Sequence, residues 1–184
     1  MNRSFDSLAM MKTEQEESHS VRVLLVDDSN SALHELETAL SKQNRIMVVG
    51  TACSEIDAQA AVQICQPNVV VLEMLVGRMS GINICRTLRQ KHPNIAVLFF
   101  TAKDDASLLR SAINAGAQGY LLKSASCEAL LKTIEAVAIG RVVIDPSLTS
   151  QVFTWIRERK RVTPRWSMAN SSVEDLKFHV YVPS

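Results

Sequence analysis

Five short apolar runs, rich in β-branched or aromatic residues, are separated by amphipathic segments along the chain. The runs are residues 21–26 (VRVLLV), 46–50 (IMVVG), 68–72 (NVVVL), 95–100 (IAVLFF) and 119–122 (GYLL). Apolar character without polar alternation is typical of strands that are buried on both faces of a sheet. The pattern therefore predicts five strands in the interior of one domain.

Apolar residues recur at helical spacing after each run. The predicted helices are 31–41, 54–65, 81–91, 104–115 and 126–139. Each has an apolar stripe that we expect to face the core, such as Ile56, Ala60 and Ile64 in the second helix. Candidate N-caps and C-terminal stops stand at the ends of these segments: Ser54, Asp104 or Asp105, Ser126, Gly116 and Gly140. Strand and helix thus alternate five times, which predicts an α/β fold with a doubly wound parallel sheet covered by helices on both faces.

The composition fits one full-sized domain. The chain has 184 residues, of which 47% are hydrophobic, and 20 basic against 19 acidic side chains give a net charge of +1. This balance provides no global attraction to nucleic acid or to a membrane surface. No apolar run approaches the ~18 residues that span a bilayer, so we expect a cytoplasmic protein without membrane contact. The cysteines show no metal-binding spacing, and we expect buried, reduced thiols at Cys53, Cys65, Cys85 and Cys127.

Charged and hydroxyl side chains follow four of the five predicted strands. Asp27 and Asp28 follow the first, Glu73 the third, Thr101 the fourth and Lys123 the fifth. The carboxyl ends of parallel strands share one edge of a sheet, so these groups are expected to converge. Adjacent acids can bind Mg²⁺, while an ammonium and a hydroxyl can bind phosphoryl oxygens. Each residue alone could equally be a turn, cap or solvated loop residue, but their joint placement favours a phosphoryl-handling site.

The motifs at these strand ends resemble the receiver domain of bacterial two-component response regulators over residues 21–139. LLVDDS is similar to its acidic-pair motif, FFTAKDD to its Thr-Ala motif and AGAQGYLLKSAS to its Gly-aromatic-x-x-Lys motif. GYLLKSAS and GRVVIDPSL are most similar to the NarL/FixJ type, which normally carries a C-terminal helix-turn-helix. The resemblance implies a flavodoxin-like (βα)5 sheet with strand order 2-1-3-4-5. It also implies a signalling module that is not an enzyme and has a sensor histidine kinase or another signalling protein as partner.

The resemblance also implies roles for individual residues. Asp27 and Asp28, together with Glu73, would form the Mg²⁺ site; Thr101 would be the switch hydroxyl, Tyr120 the aromatic residue that rotates on activation, and Lys123 the ammonium that reads the phosphate. The phosphoacceptor position falls on Glu73, where the family has aspartate. The loop that follows also departs from the family's Met-Pro-Gly, with residues 76–78 reading VGR. No residue is assigned a catalytic role.

Glutamate at the acceptor position leaves three interpretations open. The extra methylene moves the carboxylate by the ~1 Å that can cost about a hundredfold in rate, so Glu73 can be a phosphorylation-independent, partial mimic of the phosphorylated state. Retention of Asp27 and Asp28 favours instead a slow but competent acceptor. The third interpretation makes Glu73 only a structural ion-pair partner of Lys123. In the first, signalling proceeds by protein contact, including a possible homodimer, through the face of the fourth helix, fifth strand and fifth helix.

After residue 140 the sequence shows no strong hydrophobic periodicity. We expect a flexible extension at 1–20, the receiver domain at 21–140, and a linker or tail at 141–184 that is a possible remnant of an output domain. RVTPRW resembles the opening of a NarL/FixJ DNA-binding unit, but only 18 residues follow it. A basic aromatic cluster lies here: Trp155, Arg157, Arg159, Lys160, Arg161, Arg165 and Trp166. We favour a solvated helix end over a nucleic-acid site, with a phosphorylation-competent DNA-binding regulator as the alternative.

Overall fold

A computed structural model of the protein describes the backbone of residues 20–161 and the side chains of residues 20–157. Its central sheet has six parallel strands in the order β2-β1-β3-β4-β5-β6. They are β1 Val21–Val26, β2 Ile46–Ala52, β3 Val69–Leu72, β4 Ala96–Thr101, β5 Gly119–Leu122 and β6 Val143–Ile144. The predicted doubly wound sheet and the order 2-1-3-4-5 are confirmed, and β6 adds an edge strand that the sequence pattern did not indicate.

The helices follow the strands as the periodicity predicts. They are α1 Asn30–Leu40, α2 Glu55–Cys65, α3 Gly81–Lys91, α4 Ala106–Asn114, α5 Cys127–Ala138 and α6 Thr149–Arg161. Ser54, Asp105 and Ser126 are N-caps whose side-chain oxygens accept hydrogen bonds from backbone N–H groups in the first turn. None of the helices in residues 20–161 is both long and apolar enough to cross a membrane.

The core lies on both faces of the sheet, which explains the continuous apolar runs. On one face Leu24, Leu72 and Phe99 pack beneath α2, α3 and α4, and on the other Leu25 and Leu98 belong to a second cluster with α1 and α5. All of these side chains are fully buried. Successive strand residues point to opposite faces, and every position of β3, β4 and β5 is buried in one of the two clusters or between them.

The predicted stripe of α2 is wrong. Ile56 and Ile64 are 80% and 82% exposed, and Ala60 is exposed as well, whereas Ala58 and Val62 face the core. Close packing favours the smaller residues: a Cβ at Gly50 of β2 would lie only 3.3 Å from the Cys65 Sγ at the end of α2. The helix therefore turns its smaller apolar side chains toward the sheet, and its isoleucines toward solvent.

The expected burial of the cysteines holds for one of the four. All four are free thiols, but only Cys85 is buried; Cys65 is intermediate, and Cys53 and Cys127 are exposed. Burial raises the pKa of Cys85 to about 12, despite the nearby arginines that lower it. Cys53 lies in the loop before α2, and Cys127 is the first residue of α5. Both positions face solvent rather than the core.

The segment after residue 140 is folded against the sheet rather than extending away from it. β6 pairs with β5, Leu148 is fully buried in a 3₁₀ turn, and Val152 and Trp155 of α6 pack against the core. The structured unit therefore includes part of the predicted linker or tail at 141–184. The predicted extension at 1–20, except residue 20, and residues 162–184 lie outside the described part of the chain.

Candidate functional site

Backbone hydrogen bonds between neighbouring strands align the strand ends that carry the predicted site. The N–H of Asp27 donates to Ala52 O at 3.1 Å, that of Glu73 to Val26 O at 2.9 Å, and that of Lys123 to Thr101 O at 2.8 Å. Register across the parallel sheet thus brings residues that are far apart in sequence to a common edge.

Lys123 joins two of the predicted carboxylates directly. Its Nζ lies 2.7 Å from Asp27 Oδ2 and 2.7 Å from Glu73 Oε2. The carboxylate side chains are only 6% and 14% exposed, so the ion pairs are poorly screened by water. Burial would lower the pKa of Lys123, but the hydrogen bonds and charges of Asp27 and Glu73 outweigh it and raise that pKa above its usual value. The ammonium is therefore firmly charged.

The second oxygen of Glu73 is held by the loop that follows it. Glu73 Oε1 accepts a hydrogen bond from the Met74 N–H at 2.6 Å. The loop then forms a small antiparallel hairpin of Leu75–Val76 and Met79–Ser80, with Gly77 at its tip at φ +62°. This hairpin was not predicted. It returns the chain to α3, and both carboxylate oxygens of Glu73 are thereby engaged.

Gly81 fixes the position of the Glu73 backbone. Its N–H donates to Met74 O at 2.8 Å. A Cβ here would collide with the carbonyl oxygen of Glu73 and would also come within 3.1 Å of Met74 O. Only glycine permits this approach of α3 to the strand end. The sequence pattern placed Gly81 at a helix start but gave no sign of this role.

The acidic pair divides into a buried and an exposed residue. Asp27 is buried, and its Oδ1 accepts from the Ser29 N–H at 2.9 Å, while Asp28 is exposed. In the described residues no three Asp, Glu, His or Cys side chains are grouped so that they could hold a metal. The Lys123 ammonium lies between Asp27 and Glu73, where a cation would balance their charge. As arranged, the predicted ligands do not fit Mg²⁺.

Thr101 and Tyr120 are linked through one residue of the loop after β4. Lys103 donates its N–H to Thr101 Oγ1 at 3.2 Å, and its carbonyl accepts from the Tyr120 hydroxyl at 2.6 Å. Tyr120 is 1% exposed, and burial together with Asp105, Glu73 and Asp104 raises its pKa to about 12. No hydrogen bond joins Thr101 to Glu73 in the described part of the chain. The sequence pattern missed Lys103 because its backbone, not its side chain, makes both contacts.

Asp145 connects the strand end beside Lys123 to the C-terminal helix. It is buried; one oxygen accepts from the Leu122 N–H at 3.0 Å, and the other accepts from the N–H and hydroxyl of Ser147. Its own N–H donates to Tyr120 O at 2.8 Å. The available sequence signal was the Asp-Pro pair in IDPSL, since aspartate before proline often caps a turn.

The basic aromatic cluster is only partly described. Trp155 is half-buried against the core and Arg157 is exposed. The side chains of Arg159, Lys160 and Arg161, and all of Arg165 and Trp166, lie outside the described residues.

At the strand ends, the structure brings together Asp27, Glu73 and Lys123. It links Thr101 with Tyr120 and leaves Asp28 at the surface.

Comparison with known proteins gives consistent matches across the sheet and its helices. A family model for the response regulator receiver domain matches residues 23–135. The chain is 25% identical over 160 residues to the transcriptional regulatory protein DegU of Brevibacillus brevis, covering 87% of this chain and 66% of that protein. It is 31% identical over 137 residues to the DNA-binding transcriptional activator DevR/DosR of Mycobacterium tuberculosis, covering 74% and 63%.

A solved structure agrees with these sequence matches. The signal receiver domain of the response regulator NarL from M. tuberculosis has a TM-score of 0.64 and 28% identity, covering 67% of this chain and 99% of that one. The chain spans less than two thirds of the length of each full-length relative above. The shared part is thus the parallel sheet with its helices.

Proposed function

The chain belongs to the response regulator receiver domain family, and on this premise we propose that it is a phosphorylation-independent receiver that signals by protein contact. Members of this family are signalling proteins of two-component systems and are generally not enzymes, and the relatives of this chain are transcriptional regulators. One observation carries the proposal: the carboxylate at the acceptor position already binds the ammonium that would read a phosphoryl group.

Impaired phosphotransfer follows from the contacts of Glu73. An attacking carboxylate needs a free oxygen aimed at phosphorus, but Oε2 is bonded to Lys123 and Oε1 to the Met74 N–H. Breaking either contact adds to the cost of the ~1 Å displacement that the extra methylene introduces. Receiver domains typically bind Mg²⁺ at this acidic edge, but here the Lys123 ammonium lies between Asp27 and Glu73 and offsets one of their two negative charges. No step of the proposed signalling depends on a metal.

Mimicry of the phosphorylated state is expected to be partial. Glu73 presents one charge and two oxygens, fewer than a phosphoryl dianion with three oxygens. It engages Lys123, as a phosphoryl group would, but Thr101 bonds to the Lys103 backbone instead. The buried Tyr120, bonded to the same loop, supports a switch that is held largely in one position. We propose that Glu73 shifts this switch only partly toward the phosphorylated state.

Incubation with acetyl phosphate and Mg²⁺, followed by intact mass measurement at several times, tests the proposal. The matched control is Glu73→Asp, which shortens the side chain by one methylene to the family's acceptor. We expect a phosphoryl adduct on Glu73→Asp and none on the parent. An adduct mapped to Glu73 of the parent would refute the proposal and support the slow-acceptor interpretation.

We propose that partners bind at the face of α4, β5 and α5, since receiver domains interact with histidine kinases and related signalling proteins. In this chain β6 pairs with β5 and forms the edge of the sheet beside that face. A homodimer through the same face remains part of the proposal. Partner binding by the parent, Glu73→Gln and Glu73→Asp separates switching from a purely structural ion pair, because identical behaviour of all three would support the structural role.

A DNA-binding regulator is the second candidate, because the relatives named above are transcriptional regulators and one is a DNA-binding activator. Those relatives extend beyond the part that this chain matches, and we propose that the receiver unit of this chain includes β6. Salt-sensitive binding of duplex DNA by the full chain, lost on removing residues 150–184, would support DNA binding. Absence of binding at 50 mM salt would count against it.

A further inference from the structure

The exposed side of α2 carries an apolar stripe that the fold does not use. Ile56, Ala60 and Ile64 are spaced four residues apart and so form one ridge on the helix surface. Ile56 and Ile64 are the two most exposed large hydrophobic side chains among the described residues, at 80% and 82%. Single exposed apolar residues are ordinary, but a continuous ridge on one helix is a typical interaction surface.

We propose that this α2 ridge binds the α2 ridge of a second copy of the chain in a symmetric, antiparallel pair. A twofold axis at Ala60 would place Ile56 of each copy against Ile64 of the other. The small Ala60 at the crossing allows the helices to approach closely, and ridges of this i, i+4 type pack into each other's grooves. A twofold contact uses the same patch on both copies, so the assembly closes as a dimer.

The charges at the two ends of α2 match this arrangement. Its first turn carries Glu55 and Asp57, and there is no basic residue in its last turn. Instead Arg22, from the start of β1, lies at the C-terminal end, where its guanidinium donates to Cys65 O at 2.7 Å and Gln66 O at 3.3 Å. An antiparallel partner would bring the acidic end of one α2 to the arginine end of the other. A parallel pair would place like charges together.

This surface is separate from the strand-end site and from the α4, β5 and α5 face. β2, on which α2 packs, is one edge of the sheet, and β5 and β6 are at the opposite edge. The inference goes beyond the proposed signalling role and does not depend on the state of Glu73. A dimer at α2 would leave the α4, β5 and α5 face open to another partner.

Sedimentation equilibrium of the full chain between about 5 and 500 µM tests the proposal. We expect a concentration-dependent dimer that is weakened more than tenfold by Ile64→Glu or Ile56→Glu. The matched control is Leu75→Glu, since Leu75 is also exposed, at 53%, but lies in the hairpin after Glu73, outside both proposed contact faces. Far-UV circular dichroism and thermal melts confirm that each variant is folded. Glu55→Gln is expected to weaken the dimer several-fold at low salt and less at high salt.

Disulfide trapping tests the symmetry itself. In a background with Cys53→Ser, Cys65→Ser and Cys127→Ser, Ala60→Cys is expected to give a covalent dimer on mild oxidation, whereas Thr38→Cys on α1, on the other side of the sheet, is not. Three results would overturn the proposal: a parent that stays monomeric at 500 µM, a dimer unaffected by Ile64→Glu, or a dimer weakened equally by Leu75→Glu. An equal yield of covalent dimer from Ala60→Cys and Thr38→Cys would overturn the antiparallel geometry.

Discussion

Glu73→Gln probes the ion pairs at the strand ends while preserving the shape of the side chain. In the native protein Glu73 Oε2 accepts from Lys123 and Oε1 accepts from the Met74 N–H. A glutamine amide can supply only one acceptor oxygen, so its NH₂ group must face either the Lys123 ammonium or the Met74 N–H. The substitution therefore removes a charge and creates a contact between two donors.

The magnitude follows from two opposing effects. A hydrogen bond to a charged group contributes about 1.5–3 kcal/mol. Part of that loss is offset because Asp27 and Glu73 repel each other, their oxygens both lying 2.7 Å from the same nitrogen. The attraction acts over the shorter distance, so it outweighs the repulsion. We expect the free energy of unfolding to fall by about 1–2 kcal/mol, or a Tm lower by roughly 3–8 °C for a domain of this size.

The assay is chemical and thermal denaturation of the parent and variant at pH 7. Glu128→Gln is the matched control, because Glu128 pairs with Lys132 at 3.0 Å on the exposed surface of α5, with the carboxylate side chain 75% exposed. Such an exposed pair contributes only about 0.3–0.5 kcal/mol. Equal losses of stability in the two variants, or a gain in Glu73→Gln, would refute the view that burial strengthens the Lys123 contacts.

Three further predictions concern neighbouring residues. Gly81→Ala is expected to lower the free energy of unfolding by about 2 kcal/mol in denaturant melts, since its Cβ collides with Glu73 O; an unchanged midpoint would contradict this. Asp145→Ala is expected to speed amide exchange in residues 143–157, because the Leu122 N–H and the following turn lose their acceptor; unchanged protection there would argue against the link. Tyr120 is expected to ionise near pH 12 by absorbance at 295 nm, a step absent in Tyr120→Phe. Because the folded state holds this proton more tightly, stability should fall as pH rises from about 10.

The sequence was sufficient to predict the sheet and the strand ends that carry the site residues, because buried parallel strands leave a strong apolar signal. It was insufficient where two arrangements satisfy the same pattern. In α2, Ala58 and Val62 compete with Ile56 and Ile64 for the core, and the closeness of the sheet decides the outcome. β6 has only two residues, too few to show a period.

The contacts within the site were beyond sequence reasoning for a similar reason. Strand ends predicted which residues would be near one another, but not that Lys123 would bind both Asp27 and Glu73 while Asp28 faces solvent. The hairpin after Glu73 depends on pairing over two residues on each side, and the Lys103 link depends on the backbone alone. Such contacts cannot be predicted from the types of the residues that make them.

The double role of Lys103 has a consequence for the rate of any switching. Its N–H and its carbonyl hold Thr101 and Tyr120 respectively, so rotation of the tyrosine ring requires the loop after β4 to move. Rotamers of exposed side chains exchange within nanoseconds, whereas loop motions take nanoseconds to microseconds, and lid opening or local unfolding takes microseconds or longer. The three residues are therefore expected to change together as one slow kinetic unit, and the lifetime of either state is set by the opening of that loop.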